Sequence, residues 1–292
     1  MSDLLIAVPN VSEAADPAAL EAIGAAFAAG GARVLDVHAD PDHGRSVFTL
    51  AGRPGTLASA LAAGAREALD RIDLRTHHGH HPHVGAVDVV PVVHLDAARR
   101  GAACAEALVA GHLLGEELGL PCFLYGLLGG GRTRADLRGG GTAALARRVL
   151  DGELAPDFGP ARIHAGRGAT LVAARPPLVA FNLELAAPAT LQAAKDIAAR
   201  IRAGGSHGLP GVRAIGLTLP ARGNVAQVSM NVEDHRSVPL ARVVEAVAAH
   251  AEVAEAEVVG LPPAAAFAGY PDSLPTRGRR TLEDALARPG ER

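Results

Sequence analysis

The chain has 292 residues, of which 49% are hydrophobic, 20% are charged and 3% are aromatic, and its formal net charge is −3. This composition is typical of a globular protein and argues against a nucleic-acid or membrane-surface partner. The few aromatic residues also argue against a stacking platform for single-stranded nucleic acid. The length is sufficient for two small domains.

Two features of the chain predict a cytoplasmic protein. The two cysteines, Cys104 and Cys122, are too few for a disulfide framework and fit a reducing compartment. The first residues carry neither a basic segment nor an apolar run of signal-peptide length. The alanine-rich residues 101–119 include charged side chains, so we expect no membrane span there.

Hydrophobic periodicity and turn residues predict alternating strands and helices along the chain. Strands are predicted at residues 4–9, 34–38, 47–50, 86–94, 121–125, 169–174, 178–185, 212–219, 225–232 and 256–260. Helices are predicted at residues 17–29, 57–72, 97–118, 145–150, 191–202 and 239–249, with a short helix at residues 281–284. The first helix is expected to begin at Asp16 and Pro17, an N-cap followed by a proline in the first turn.

The order of these elements predicts the fold class. The first half runs strand, helix, strand, strand, helix, strand, and the second half repeats that order from Leu178. This is the ferredoxin-like pattern, so we predict an α+β protein with two ferredoxin-like (βαββαβ) subdomains side by side. A cleft is expected between them. The boundary is placed in an irregular segment, which gives subdomains at residues 1–165 and 166–292, the second with a short polar tail.

A histidine-rich segment, residues 77–83, contains five of the thirteen histidines and precedes a predicted strand. Imidazole transfers protons near neutral pH and also binds metal ions. The residues alone leave three interpretations open: a solvated loop or a core histidine satisfied by backbone, a metal site, and a general acid or base. Gly79 and Pro82 interrupt the helical spacing that would bring His77 close to His80 or His81.

Residues 126–133, with the sequence GLLGGGRT, have the spacing of a phosphate-binding P-loop. The position of the P-loop lysine is occupied by Arg132, and a guanidinium is not equivalent to a compact ammonium group. We therefore expect a surface loop. Its arginines, and those that follow, are candidates for binding a carboxylate; they are Arg132, Arg134 and Arg138.

Nine short segments, in order along the chain, resemble the glutamate formimidoyltransferase family. They are VPNVSE (8–13), DPDHGRSV (40–47), HHGHHPHVGAVD (77–88), FLYG (123–126), PDFGP (156–160), GAT (168–170), AFN (180–182), GLPGV (208–212) and AQVSMN (226–231). The resemblance implies two ferredoxin-like halves and transfer of a formimino group from N-formimino-L-glutamate to N5 of tetrahydrofolate. It further implies a homodimer, tetrahydrofolate as co-substrate, no metal ion and no cyclodeaminase domain.

The resemblance also implies roles for individual residues. The catalytic histidine of the family precedes proline in the motif His-x-Gly-Glu-His-Pro-Arg, which corresponds to His81. The family's folate-contacting stretch corresponds to Gly159, Pro160, Arg162, His164, Gly166 and Gly168. The expected substrate-binding residues are Asn10, Arg45, His80 and His83, with Arg45 as a carboxylate clamp. The chain departs from the family pattern at Gly44, His80, His83 and Arg167.

The expected function is therefore that of a cytoplasmic one-carbon transferase of histidine catabolism, acting on small molecules. One histidine, His81, would serve as general base at N5 of the folate and as general acid at the departing glutamate nitrogen. Two alternatives from other classes remain. The chain could be a non-catalytic folate-binding homologue, because several site residues differ from the family pattern. It could also be a metal-dependent hydrolase that uses residues 77–83.

Overall fold

The computed structural model describes residues 3–41, 43–77 and 83–288, which divide into two compact units between Pro176 and Pro177. The strands of the first unit are β1 (Leu5–Ala7), β2 (Asn10–Val11), β3 (Arg33–Asp40), β4 (Arg45–Gly52), β5 (Val87–Val93), β6 (Cys122–Leu124) and β7 (Thr170–Arg175). Its helices are α1 (Pro17–Ala29), α2 (Leu57–Arg71), α3 (Arg100–His112), α4 (Arg134–Arg138) and α5 (Gly141–Leu150). A π-helical turn, Leu113–Glu117, extends α3 at its C-terminal end.

The sheet of the first unit has a ferredoxin-like part and an extension. β1 and β2 form one interrupted strand, since both pair antiparallel with β4 and with β5. The order β5, β1/β2, β4, β3 is the ferredoxin-like order. β7 then adds to the other edge of β5 in parallel, and β6 adds in parallel to β7. The single strand predicted at residues 4–9 is thus two short strands on either side of Pro9, which has no amide proton to donate.

The end of the first unit is set by β7. The sequence places the boundary at residues 165 and 166, whereas the compact units divide between Pro176 and Pro177. Most of the intervening residues, Thr170–Arg175, form β7, whose backbone pairs with β5 and β6 of the first sheet. Strand pairing therefore holds residues 166–176 in the first unit.

Helix α1 follows directly from its sequence signals. The Asp16 carboxylate accepts hydrogen bonds from two backbone amides of the first turn, and Pro17 occupies the first helical position. Ile23 and Phe27 recur at helical spacing and are fully buried. The Phe27 ring packs edge-on against Phe48 of β4, with ring centroids 5.2 Å apart. The predicted start and buried face of this helix are both confirmed.

Helix α2 is capped by a side chain from another helix. Thr56, the residue before α2, makes no side-chain capping bond. Instead the backbone amides of Gly55 and Ala58 each donate to the carboxylate of Glu106 on α3, at 2.7 Å. Glu106 is only 5% exposed, and its negative charge lies at the positive end of the α2 dipole. A buried carboxylate thus ties α2 to α3.

Replacing Glu106 by alanine is expected to lower the free energy of unfolding by about 3 kcal/mol, because two charge-assisted hydrogen bonds are lost, one of them from the buried amide of Ala58. Glu106→Gln keeps an acceptor oxygen and should lose less. Urea denaturation followed by circular dichroism measures both changes. The partly exposed Glu67 on α2, which pairs with Arg71, is the matched control, and Glu67→Ala should cost less than about 1 kcal/mol. Equal stabilities of Glu106→Ala and Glu67→Ala would contradict the assigned cap.

The second unit is also ferredoxin-like, which confirms the predicted fold class. Its strands are β8 (Val179–Leu185), β9 (Val212–Leu219), β10 (Val225–Val232), β11 (Val253–Val259) and β12 (Thr276–Arg277), in the order β12-β11-β8-β10-β9. Its helices are α6 (Leu191–Ile201), α7 (Leu240–Ala248) and α8 (Leu282–Ala287). Strand β11 starts at Val253, before its predicted first residue, 256, because the backbone of Val253 and Glu255 already pairs with β8. Across the described ranges no helix has the length and apolarity that spanning a bilayer requires.

Candidate active site

Two of the predicted site residues, His80 and His81, belong to residues 78–82 and lie outside the described residues. The structure describes the residues on either side of them. The rings of His77 and His83 meet edge to face, with centroids 4.6 Å apart and planes at 86°. The two ends of the histidine segment are therefore adjacent in space.

The chain that follows the histidine segment is held by hydrogen bonds on several sides. The backbone amide of Val84 donates to Oδ1 of Asp88 at 2.8 Å, and the carbonyl of Val84 accepts from the amide of Ala169 at 2.9 Å. The hydroxyl of Ser12 donates to the carbonyl of Gly85 at 2.8 Å. A β-carbon on Gly85 would collide with the carbonyl of Ala169, so glycine permits this close approach. These contacts fix the exit of the segment.

The chain that precedes the histidine segment is held by Asp73. Its carboxylate accepts from the backbone amide of Arg75 at 3.0 Å and from the Arg75 guanidinium, and these hydrogen bonds lower the pKa of Asp73 to about 2. The backbone amide of Leu74 donates to the carbonyl of Gly166 at 2.9 Å. Residues 73–76 are thereby attached to the predicted folate-contacting stretch.

A recess in the first unit collects side chains from β2, from the β3–β4 turn and from both ends of the histidine segment. Its lining includes the side chains of Asn10, His43, Arg45, His77, His83 and Asp88. Three of the four predicted substrate-binding residues are therefore together. The fourth, His80, lies outside the described residues.

Arg45 supplies positive charge to the recess from the start of β4. Loss of contact with solvent and the nearby Arg138 lower the pKa of Arg45 to about 10, against the opposing influence of Asp40 and Asp88. At neutral pH the guanidinium is still protonated. A cation that is largely shielded from water binds a carboxylate more strongly than an exposed cation does.

Arg138, proposed from the sequence as a ligand for a carboxylate, instead pairs with a carboxylate of the protein. Its guanidinium contacts Oδ2 of Asp88, and both side chains are largely buried, at 13% and 5% exposure. Asp88 therefore accepts from Val84 with one oxygen and from Arg138 with the other. This pair connects helix α4 to the exit of the histidine segment.

The glycine-rich residues 126–133 form a folded turn. Arg132 donates to Oδ2 of Asp157 at 2.5 Å and to the carbonyl of Gly129 at 3.2 Å. The same Asp157 oxygen accepts the backbone amide of Leu124 at 2.8 Å. Another of the three arginine candidates, Arg134 at the start of α4, places its guanidinium carbon 6.0 Å from the ring centroid of Tyr125. The arginine at the P-loop lysine position thus serves the structure of the turn.

The predicted folate-contacting residues fall into two groups. Gly159 and Gly168 are points of close backbone packing with positive φ angles of 81° and 72°. Pro160, Arg162 and His164 are exposed, and Gly166 is buried. Of the six, His164 and Gly166 line a second recess together with Asp73 and Arg75. The structure brings these two together and places Gly159 separately, beside Gly115 and Leu120.

Sequence periodicity gave no sign of a histidine–aspartate pair in the first recess. Nδ1 of His43 lies 2.5 Å from Oδ2 of Asp40, and the backbone amide of His43 donates to Oδ1 of Asp40 at 3.1 Å. Burial alone would raise the pKa of Asp40, but the hydrogen bonds and charge of His43 outweigh burial and lower it. The signal available in the sequence was an aspartate three residues before a histidine, in a turn closed by Gly44, whose φ is 64°.

The metal alternative depends on residues 77–83, and five of these, residues 78–82, lie outside the described residues. Among the residues that are described, no three or more histidine, cysteine, aspartate or glutamate side chains are arranged to hold a metal ion.

Comparisons with known proteins identify the family of the chain. Residues 4–175 match the family model of the formiminotransferase domain, N-terminal subdomain, and residues 180–269 match that of the formiminotransferase domain. The glutamate formimidoyltransferase of Streptococcus pyogenes serotype M1 is 34% identical over 276 residues, which cover 91% of each chain. That of Thermoplasma acidophilum is 34% identical over 271 residues, covering 89% of this chain and 88% of the relative.

A second group of relatives is longer. The formimidoyltransferase-cyclodeaminase of Sus scrofa is 37% identical over 269 residues, which cover 89% of this chain and 49% of the relative. The chain thus spans about half the length of these relatives, whose names give two activities. Because the two family models together match most of both compact units, the chain belongs to the formiminotransferase family.

Proposed function

We propose that this chain transfers the formimino group of N-formimino-L-glutamate to N5 of tetrahydrofolate. The observation that carries the proposal is the recess in which Asn10, Arg45 and His83 meet beside the histidine segment. It is supported by similarity over about nine tenths of two relatives that are named glutamate formimidoyltransferase. We further propose a cytoplasmic homodimer.

The proposed reaction needs two proton transfers. N5 of tetrahydrofolate attacks the amidine carbon of the donor, and a carbon–N5 bond forms as N5 loses its proton. The bond from that carbon to the glutamate nitrogen then breaks, and this nitrogen gains a proton to leave as the amine of glutamate. His81 is proposed as the general base at N5. Holding the two substrates in line contributes the remaining acceleration through orientation.

Arg45 is proposed to bind a carboxylate of the donor. Its guanidinium remains charged at neutral pH and faces the recess from the start of β4. The two parallel N–H groups of an arginine match the two oxygens of a carboxylate. Asn10 lies on the neighbouring strand, and its amide nitrogen donates to the carbonyl of Val8 at 3.0 Å, which fixes the plane of the amide. The two side chains define the glutamyl end of the recess.

Reduced folate is proposed to bind at the second recess, next to His164 and Gly166. Tetrahydrofolate should then raise the midpoint of thermal unfolding, because a ligand that binds only the folded state stabilises it by mass action. Gly166→Val should weaken binding, since an added β-carbon would lie 2.8 Å from Oδ1 of Asp73 and the side chain would enter the recess. Differential scanning fluorimetry with increasing tetrahydrofolate measures both effects.

The control for this prediction is Gly101→Val on α3, where an added β-carbon meets no atom within 4 Å. This variant should respond to folate as the parent does. Gly168 is unsuitable for the test, because its positive φ and the carbonyl of Val84 make any side chain there disturb the fold. No stabilisation of the parent by millimolar tetrahydrofolate would refute the proposed folate site.

The deciding experiment is an assay with N-formimino-L-glutamate and tetrahydrofolate that detects glutamate and formimino-folate as products. Formation of both products supports the proposed transfer. Folate binding without turnover would favour the non-catalytic homologue. Hydrolysis of the donor without folate, abolished by a chelator, would favour the metal-dependent hydrolase.

A further inference from the structure

We propose that His43, oriented by Asp40, is a second acid–base residue of the recess and donates the proton that the departing glutamate nitrogen requires. This inference rests on the proposed function and adds a residue to it. It assigns the two proton transfers of the reaction to different histidines, His81 at the folate and His43 at the glutamate.

The geometry of the Asp40–His43 pair is that of an oriented imidazole. The carboxylate holds the ring through Nδ1 at 2.5 Å and holds the backbone of the same residue at 3.1 Å. The His43 side chain is 8% exposed and the Asp40 side chain is 13% exposed, so solvent competes little for these bonds. A carboxylate bonded to Nδ1 selects the tautomer with its proton on that atom, and Nε2 is then the atom that exchanges a proton with substrate.

The position of the pair favours an acid–base role over a purely structural one. The His43 backbone amide donates to Oδ1 of Asp40, which is the hydrogen bond typical of aspartate-initiated turns. The imidazole adds a separate bond to Oδ2 of Asp40, and it lines the recess that also contains Arg45 and Asp88. The histidine rings of residues 77 and 83 face the same space.

The chemistry places the leaving nitrogen on the His43 side of the recess. In N-formimino-L-glutamate the nitrogen to be protonated is bonded to the same carbon as the α-carboxylate. If Arg45 binds that carboxylate, the nitrogen lies within a few bond lengths of it, and Arg45 is two residues from His43 at the start of β4. In its doubly protonated form His43 gives the proton on Nε2 to this nitrogen as the carbon–nitrogen bond breaks, and the neutral ring keeps its other proton on Nδ1 beside Asp40. The proton lost from N5 goes to His81, so one proton is gained and one is lost by the protein in each reaction. Exchange of these protons with solvent returns both histidines to their starting states.

Steady-state kinetics of His43 and Asp40 variants tests the inference. His43→Ala is expected to lower kcat about 10²-fold, the lower end of the range for a general acid. It should leave the stabilisation by tetrahydrofolate unchanged. Added imidazole should restore part of the lost kcat, and the alkaline limb of the kcat–pH profile should disappear. Asp40→Asn, which removes the orienting charge, should lower kcat in the same assay by less than His43→Ala does.

The matched control is His207→Ala, at an exposed histidine of the second unit, which should keep the kcat of the parent. A folded, folate-binding His43→Ala with parental kcat would overturn the inference and leave the transferase proposal intact. Loss of kcat without imidazole rescue and without a changed pH profile would also overturn it, because packing alone then explains the loss. A parent protein that does not turn over the two substrates refutes the proposed function, and this inference with it.

Discussion

Replacing His81 by alanine is expected to lower kcat by about 10²- to 10⁴-fold, the range that a general acid or base contributes. His81 stands directly before Pro82, and a residue before proline is restricted to extended backbone conformations. The affinity for tetrahydrofolate should change little, because the proposed folate site lies around Gly166. Steady-state rates with both substrates, together with folate titrations, separate the two quantities.

The neighbouring histidines provide the controls for this result. His77→Ala and His78→Ala should lose little turnover, although five histidines within residues 77–83 would suggest that any of them could act. If His81→Ala turns over as fast as the parent, the proposed role of His81 is wrong. The interpretation of residues 77–83 as a solvated loop would then be preferred.

Replacing Asp88 by alanine is expected to lower the free energy of unfolding by about 3–5 kcal/mol, because Arg138 keeps a largely buried charge without its partner. The amide of Val84 loses its acceptor at the same time. The double variant Asp88→Ala/Arg138→Ala should lose less than the sum of the two single variants, since the unpaired charge is gone. Chemical denaturation of the parent and the three variants gives the coupling energy.

An exposed pair of the same residue types serves as the control for Asp88. Asp3 binds Arg99 with a side chain that is 76% exposed, and Asp3→Ala should cost less than about 1 kcal/mol. Two results would contradict this role of the buried pair at the exit of the histidine segment. One is that the losses in free energy of unfolding for Asp88→Ala and Arg138→Ala add up to that of the double variant. The other is that Asp88→Ala loses as little stability as Asp3→Ala.

Local signals predicted much of the fold. The start of α1 at Asp16 and Pro17 follows from hydrogen bonds between residues that are neighbours in sequence. Long-range pairing was not predictable in this way. The parallel addition of β6 and β7 to the ferredoxin-like strands joins segments far apart in the chain, and nothing in a strand's own residues specifies its partner. The cap of α2 by Glu106 escaped prediction for the same reason, since donor and acceptor lie on different helices.

The family resemblance predicted which residues would share the first recess, although their role in binding stays a prediction. Asn10, Arg45 and His83 were expected near one another and line one recess. The role of Arg138 was not apparent, because its partner Asp88 is 50 residues away and the contact depends on where α4 packs. The Asp40–His43 pair lies within one turn, but an aspartate near a histidine is too common a pattern to distinguish a buried pair from an exposed one.

The placement of β7 has a consequence for how the protein is made. Synthesis proceeds from the N-terminus, so β6 leaves the ribosome well before β7, the strand with which it pairs. Until Arg175 has emerged, the apolar residues Cys122, Phe123 and Leu124 lack the neighbour that covers their backbone edge. Nascent chains, and recombinant fragments cut near residue 165, would present that edge to other molecules. A first unit produced alone should therefore extend to Pro176.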